Sequence, residues 1–349
     1  MKLSLPLRHC IYPVIAAAVA VGLCAPVAGA APRQTTGCTE VSVPVALDPG
    51  GPDTSHIAGS YCVPDGGPGT TLQILIPGAT YDRSYWDFPG FDSRYSYVGH
   101  ALESGKATLA IDPIGVGNSS KPPGAQVSAY TAAQTVHEVI AAARDGQLGH
   151  RWEKIVLVGH SFGSLTAMME AGTYHDVDGL LISGASHAPG PAGILQIQGT
   201  VRPALLDPLT KDSVPAGDYT YLSVPDARAK AFHAPGDSDP GVVAADEASR
   251  VAGTIGVLAT IPVFIPTTFD IDVPVLIANG RADKVFCAQG GGGSLTDCTD
   301  ADSLYRSEQP FFPQADLSTY VLPGAGHSMN LALNNREFFD RATSWVDGI

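Results

Sequence analysis

The chain has 349 residues, 44% of them apolar and only 15% charged, with a formal net charge of -14. That length holds one large domain or two modest ones, and the apolar content excludes wholesale disorder. The acidic balance excludes nucleic acid and an anionic membrane surface as partners.

The first thirty residues read as a secretory leader. Lys2, Arg8 and His9 precede an apolar run over 11–23, and Ala28-Gly29-Ala30 supplies the small-residue cleavage site, with the cut expected after Ala30. The run is short for a membrane-spanning helix, so no stable membrane insertion is expected and the mature chain is read as secreted and extracellular. Cys24 suggests a lipoprotein instead, but bulky Leu23 stands where a lipid-attachment motif needs a small residue. Cleavage removes Cys10 and Cys24 and leaves Cys38, Cys62, Cys287 and Cys298. Four cysteines in a secreted chain suggest two disulfides with three possible connectivities. Cys38–Cys62 with Cys287–Cys298 is favoured, because each pair closes a short, loop-rich segment. Zinc competes for such cysteines, but no C-x-x-C spacing occurs, so no metal is expected.

Residues 41–47 and 56–63 are β-prone runs flanking the turn-rich D-P-G-G-P-D, which predicts an antiparallel start to a sheet. Residues 71–76 predict a buried strand ending in Pro77-Gly78-Ala79-Thr80. Aromatic residues then crowd the chain at Tyr81, Tyr85, Trp86, Phe88, Phe91, Tyr95 and Tyr97. A helix over 95–104 and a strand over 106–111 follow, the strand ending in D-P-I-G-V-G-N-S. Helical apolar spacing predicts an amphipathic helix over 130–144, with Gly146 just beyond its end. The apolar residues 155–158 run into Gly159-His160-Ser161-Phe162-Gly163, and a helix is predicted from Ser164 to about Tyr174. Another apolar strand, 179–182, ends in S-G-A-S. Short apolar strands alternating with helices predict an α/β chain whose mostly parallel sheet is covered by helices on both faces.

Between about 187 and 270 this rhythm breaks. Helical stretches at 226–232 and 242–252 are short, prolines and glycines are frequent, and no clear strand stands out. The stretch is too long for an ordinary connection and is read as an inserted, mainly helical lid; the alternative is an elaborated surface crossover. The expected organisation is therefore a leader over 1–30, a core over 31–186, the lid over 187–270 and the rest of the core over 271–349. In that last part 273–278 predicts a strand running into N-G-R-A-D, 302–307 a helix, and 319–322 the last strand, leading into P-G-A-G-H. A final helix over 334–346 is expected to pack Arg336, Phe338, Phe339 and Trp345 on the sheet.

G-x-S-x-G between a strand and a helix is the nucleophile-elbow pattern: glycines flank a turn too tight for a Cβ and hold Ser161 strained, its hydroxyl projecting. A serine hydroxyl needs an imidazole to take its proton and a carboxylate to fix the imidazole tautomer. His327 follows the last strand in a glycine loop, at the sheet edge where Ser161 lies, and is the candidate base. His160 should point away from the hydroxyl, and His137 fits a surface or satisfied core role. His187 and His233 fall in the lid, where contact with substrate is open. Asp283, just past the preceding strand, is the candidate acid, while Asp270 and Asp272 sit before that strand and read as cap or turn residues. Asp297, Asp300 and Asp302 fit a loop face or a helix cap. Acyl transfer also needs amides for the developing oxyanion. Phe162 N–H opens the elbow helix, and Ala79 N–H is the expected second donor, with Thr80 as its competitor. Thr80, Tyr81, Trp86 and His187 are expected to contact substrate, and the aromatic crowd favours an apolar or aromatic acyl or alcohol group.

With P-G-A-T, D-P-I-G-V-G-N-S, G-H-S-F-G, G-R-A-D and G-A-G-H in that order, the chain resembles the α/β-hydrolase fold superfamily, and within it a secreted, lid-bearing serine esterase or lipase-like member. The resemblance covers about 71–186 and 273–349. It implies Ser161 as nucleophile, Asp283 as acid, His327 as base, and Ala79 and Phe162 as oxyanion-hole residues. Pro77 departs from the histidine usual in the oxyanion loop and removes a side chain that often braces it. A serine at the elbow also sets the chain apart from the haloalkane-dehalogenase and epoxide-hydrolase branches, which have aspartate there. The resulting expectation is hydrolysis of a small-molecule or polymeric carboxylic ester, lactone or polyester included, without a cofactor. An amidase or peptidase using the same triad, and a non-hydrolytic binding or lyase protein on this scaffold, are the alternatives. Oligomeric state is left open.

Overall fold

The structure, a computed structural model, describes residues 37–259 and 261–349, so the leader read from the sequence lies outside it. Strands β1 (Cys38–Val45) and β2 (Ser55–Cys62) pair antiparallel, with Cys38 opposite Cys62 and their sulfurs joined. Then come β3 (Thr71–Ile76), α1 (Tyr97–Glu103), β4 (Ala107–Ile111), α2 (Ala129–Asp145), β5 (Lys154–His160), α3 (Phe162–Tyr174) and β6 (Gly179–Ser183). Local chemistry sets the helix ends. Ser96 and Ser128 accept the Gly99 and Thr131 amides as N-caps, and Gly146 ends α2 in the left-handed region with φ 82°.

The inserted stretch holds α4 (Pro191–Gln198), β7 (Arg202–Pro203), β8 (Tyr221–Ser223), a π-turn at Arg228–Phe232, α5 (Pro240–Ala248), β9 (Gly253–Thr254) and α6 (Ile255–Ala259). Strands β7, β8 and β9 form a small antiparallel sheet, which corrects the expectation of a stretch without strands. Two- and three-residue strands carry no readable period. Strand β10 (Val275–Gly280), α7 (Ala301–Glu308), β11 (Leu317–Leu322) and α8 (Asn335–Asp347) complete the chain, and Cys287 is bonded to Cys298 in the loop between β10 and α7.

The large sheet runs β1-β2-β4-β3-β5-β6-β10-β11, parallel from β4 to β11. Its strands alternate between two cores. Leu72, Ile74, Ile155 and Leu157 pack with α2 and α3, whereas Leu75, Val156 and Val158 pack with α1 and α8. Burial on both faces is why these strands read as unbroken apolar runs. On α8, Phe338, Phe339 and Trp345 face the sheet as expected, but Arg336 is exposed and its guanidinium donates to His100 Nδ1. Among the described residues no helix is long and apolar enough to cross a membrane.

One acidic group in the insert gives a pH-dependent prediction. Burial, then the Glu337 carboxylate, push Asp237 up from 3.8 to about 6. Its folded form therefore holds more protons than its unfolded form between those values, so stability falls as pH rises through that window. Asp237→Asn should raise Tm above about pH 6 and leave it unchanged below about pH 4. The side chain is only half-buried, and solvent screening reduces the gain to roughly 1 kcal/mol, or about 2 °C. Thermal melts at both pH values check this.

Candidate active site

The ends of the parallel strands gather the site. Strand β5 runs into Ser161, whose backbone sits at φ 52° and ψ -118°, a strained position for a non-glycine residue, held by Ser161 N–H donating to Ser183 O at 2.8 Å. The flanking glycines make the turn possible: a Cβ on Gly159 would lie 2.4 Å from Ser164 Cα, and one on Gly163 2.2 Å from Ile76 O.

His327, past β11, lies with Nε2 2.8 Å from Ser161 Oγ and Nδ1 2.8 Å from Asp283 Oδ2. Asp283, past β10, is fully buried, and its Oδ1 accepts the Val285 and Phe286 amides at 2.7 and 3.1 Å. Those amides leave Oδ2 facing the imidazole. The structure thus brings the three predicted residues into one hydrogen-bonded line across 166 positions of sequence. Among the described residues no hydrogen bond joins His160 to the Ser161 hydroxyl. Its ring stacks on Tyr85 at 4.3 Å and approaches His327 at 4.9 Å. Burial and then the His327 charge hold its pKa well below the usual histidine value, so this second imidazole stays neutral.

Ser161 and His327 open on a cavity of about 260 Å³ that is also lined by Ala79, Thr80, Tyr81 and Phe162. Phe162 N–H lies in the first turn of α3, where amides have no partner within the helix. The insert supplies Ile194, Ile197, Val201, Leu222, Val224 and Phe232 to the wall, and among the described residues no Asp, Glu, Lys or Arg lines the cavity. The D-P-I-G-V-G-N-S loop acts as a wall brace. Asp112 accepts the Arg83 and Asn118 amides, and the loop places Pro113, Ile114 and Val116 on the cavity.

Two residues expected to contact substrate do not line the cavity. Trp86 is fully buried between Tyr85 and Tyr97. His187 stacks on Phe311 at 4.0 Å, with Nδ1 2.6 Å from Glu308 Oε2. In both cases a flat ring gains more from aromatic neighbours in the core than from the cavity wall. His233 is likewise engaged, 2.7 Å from Asp246 Oδ2. Asp300 caps α7, one of the two roles weighed for it.

Sequence reading missed the brace on the loop 77–80. Thr80 is held at φ 63° by fully buried Arg228 of the insert, whose Nη1 donates to Thr80 Oγ1 at 3.0 Å and Nη2 to Thr80 O at 2.6 Å. The guanidinium lies 4.4 Å from the Tyr81 ring, and Tyr81 O–H donates to Asp246 at 2.9 Å. The Thr80 hydroxyl oxygen thus accepts from Arg228. A lone arginine among alanines carries no periodic signal that it will be buried, so nothing in the sequence marked it.

This fold and site define a hydrolase of the α/β-hydrolase superfamily. The chain belongs to the alpha/beta hydrolase family, whose sequence model matches residues 73–341. No curated protein matches it in sequence. Among solved structures it is similar to the Paleococcus ferrophilus monoacylglycerol lipase, at 18% identity, covering 83% of this chain and 97% of that one with a TM-score of 0.54. It is similar also to ferulic-acid-bound Est1E from Butyrivibrio proteoclasticus, at 15% identity, 84% and 95% coverage and a TM-score of 0.51. A proline iminopeptidase from Mycobacterium smegmatis is similar at 17% identity, with 89% and 98% coverage and a TM-score of 0.53. At these identities the likeness is one of fold.

Proposed function

We propose that the protein is a secreted serine hydrolase that cleaves carboxylic esters carrying an apolar or aromatic acyl group, with 187–270 acting as a lid over the site. The observation that carries this reading is the line Ser161–His327–Asp283 opening on an uncharged, mostly apolar cavity. Ser161 Oγ attacks the ester carbonyl as His327 Nε2 takes its proton, and Asp283 steadies the imidazolium. The Phe162 and Ala79 amides receive the oxyanion. His327 then protonates the departing alcohol. Water gives a proton to His327, attacks the acyl group and releases the acid, and Ser161 regains its proton.

The same triad serves amide hydrolysis, but among the described residues no Asp, Glu, Lys or Arg lines the cavity to hold the charged end of a peptide, which favours the ester reading. Export is supported by the leader pattern and by two disulfides, which persist in oxidising compartments. Hydrolysis rates across matched esters, lactones and amides of graded acyl size test the proposal. Esters with apolar acyl groups should turn over fastest, and faster turnover of the matched amides would overturn it.

A further inference from the structure

A second cluster lies away from the cavity, where α2 meets the end of α3. His137 of α2, Glu170 of α3 and Asp176, just past the left-handed His175 that ends α3, place one ligand atom each within 4.8 Å of one another. His137 Nδ1 is 2.7 Å from Asp176 Oδ2 and 3.9 Å from Glu170 Oε1. Acidic clusters are common; the Glu170 environment is not. Its side chain is fully buried, and among the described residues no group outside the Glu170–Asp176 pair donates to either Glu170 oxygen or to Asp176 Oδ1 beside them. A buried carboxylate with both oxygens unmet is costly unless a cation or a proton completes it.

We propose that His137, Glu170 and Asp176 form a binding site for a divalent transition-metal ion of the zinc class, which clips α2 to the C-terminal end of α3. The donor set selects the ion. One imidazole nitrogen and two carboxylates suit four-coordinate zinc with water in the fourth position, whereas calcium takes six to eight oxygens. Ligand atoms around such an ion lie about 3.3 Å apart, so Asp176 moves slightly outward and Glu170 draws in. The His137 ring is already held by stacking on Tyr174 at 4.0 Å, and the Tyr174 hydroxyl donates to Gln134 Oε1, a fixed outer layer of the kind metal ligands need. The side chains of His137 and Asp176 are 31% and 25% exposed, which gives the ion a way in.

The test is calorimetric titration of the tag-free, chelator-stripped full chain with zinc chloride, alone and against calcium chloride. The expected result is 1:1 zinc uptake with a rise in Tm. Cobalt(II) should give the visible absorption of a four-coordinate ion. Glu170→Gln and, separately, Asp176→Asn should weaken zinc binding at least about 10-fold, with circular dichroism confirming that each variant is folded. Absence of stoichiometric uptake, equal affinity in the folded variants, or stabilisation by calcium but not zinc would overturn the proposal. A Glu170 that simply keeps its proton, seen as a persistent carboxylic-acid infrared band at saturating zinc, would overturn it equally.

Discussion

Ser161→Ala should lower kcat on an apolar ester by on the order of 10,000-fold or more while leaving Tm nearly unchanged. The geometry separates the two effects. Outside the elbow backbone, the Ser161 side chain has one hydrogen-bond partner, His327 Nε2, so losing the hydroxyl removes the attacking atom and little packing. The elbow itself is kept by backbone bonds: Ser161 N–H to Ser183 O, and Ser164 N–H to Ser161 O. Alanine bears the same positive φ at a cost close to that of serine, so the turn persists. An organophosphonate should add covalently to the wild-type chain and not to the variant, read by intact mass. More than about 1% residual kcat in the variant, or an adduct on it, would remove Ser161 from the role proposed for it.

How far the sequence reveals the site depends on what fixes each residue. Ser161, Asp283 and His327 are legible because each lies in the turn or loop at the carboxyl end of a strand of one parallel sheet, and short apolar strands covered on both faces are the easiest elements to recognise. Position past a strand end then locates a side chain without any knowledge of its contacts. Trp86 and His187 escape such reasoning, since whether a ring beside a loop faces a cavity or the core depends on partners distant in sequence, Tyr97 for one and Phe311 for the other. The small sheet of the insert is hidden for a different reason. Its strands span two or three residues, and β7 ends in Pro203, so neither alternation nor propensity has room to register. Glu170 looks like an ordinary helical glutamate until the packing of α2 on α3 buries it.

Arg228→Met should destabilise the protein by about 3 kcal/mol and also lower kcat, and the two losses should be separable. Arg228 is buried with Asp246, its Nε 3.7 Å from Asp246 Oδ1, and it is a donor to both the hydroxyl and the carbonyl of Thr80. Methionine fills much of the volume but leaves Asp246, among the described residues, with Tyr81 and His233 as its side-chain partners, and breaking one side of a buried pair is the costly case. For a chain of this size that loss corresponds to roughly 6 °C in Tm. The loop also relaxes, because Thr80 at φ 63° loses the two bonds that hold it there, and the neighbouring Ala79 amide with it. An oxyanion donor displaced by a fraction of an ångström costs kcat rather than KM, so a fall of about 10-fold or more in kcat with a small change in KM is expected. Adding Asp246→Asn should recover part of the lost stability, since it removes the orphaned charge, without recovering kcat. Arg228→Lys keeps the charge but not the forked donor geometry and should behave the same way. Wild-type kcat in the Arg228→Met variant would mean that Arg228 holds the insert in place without positioning the oxyanion loop.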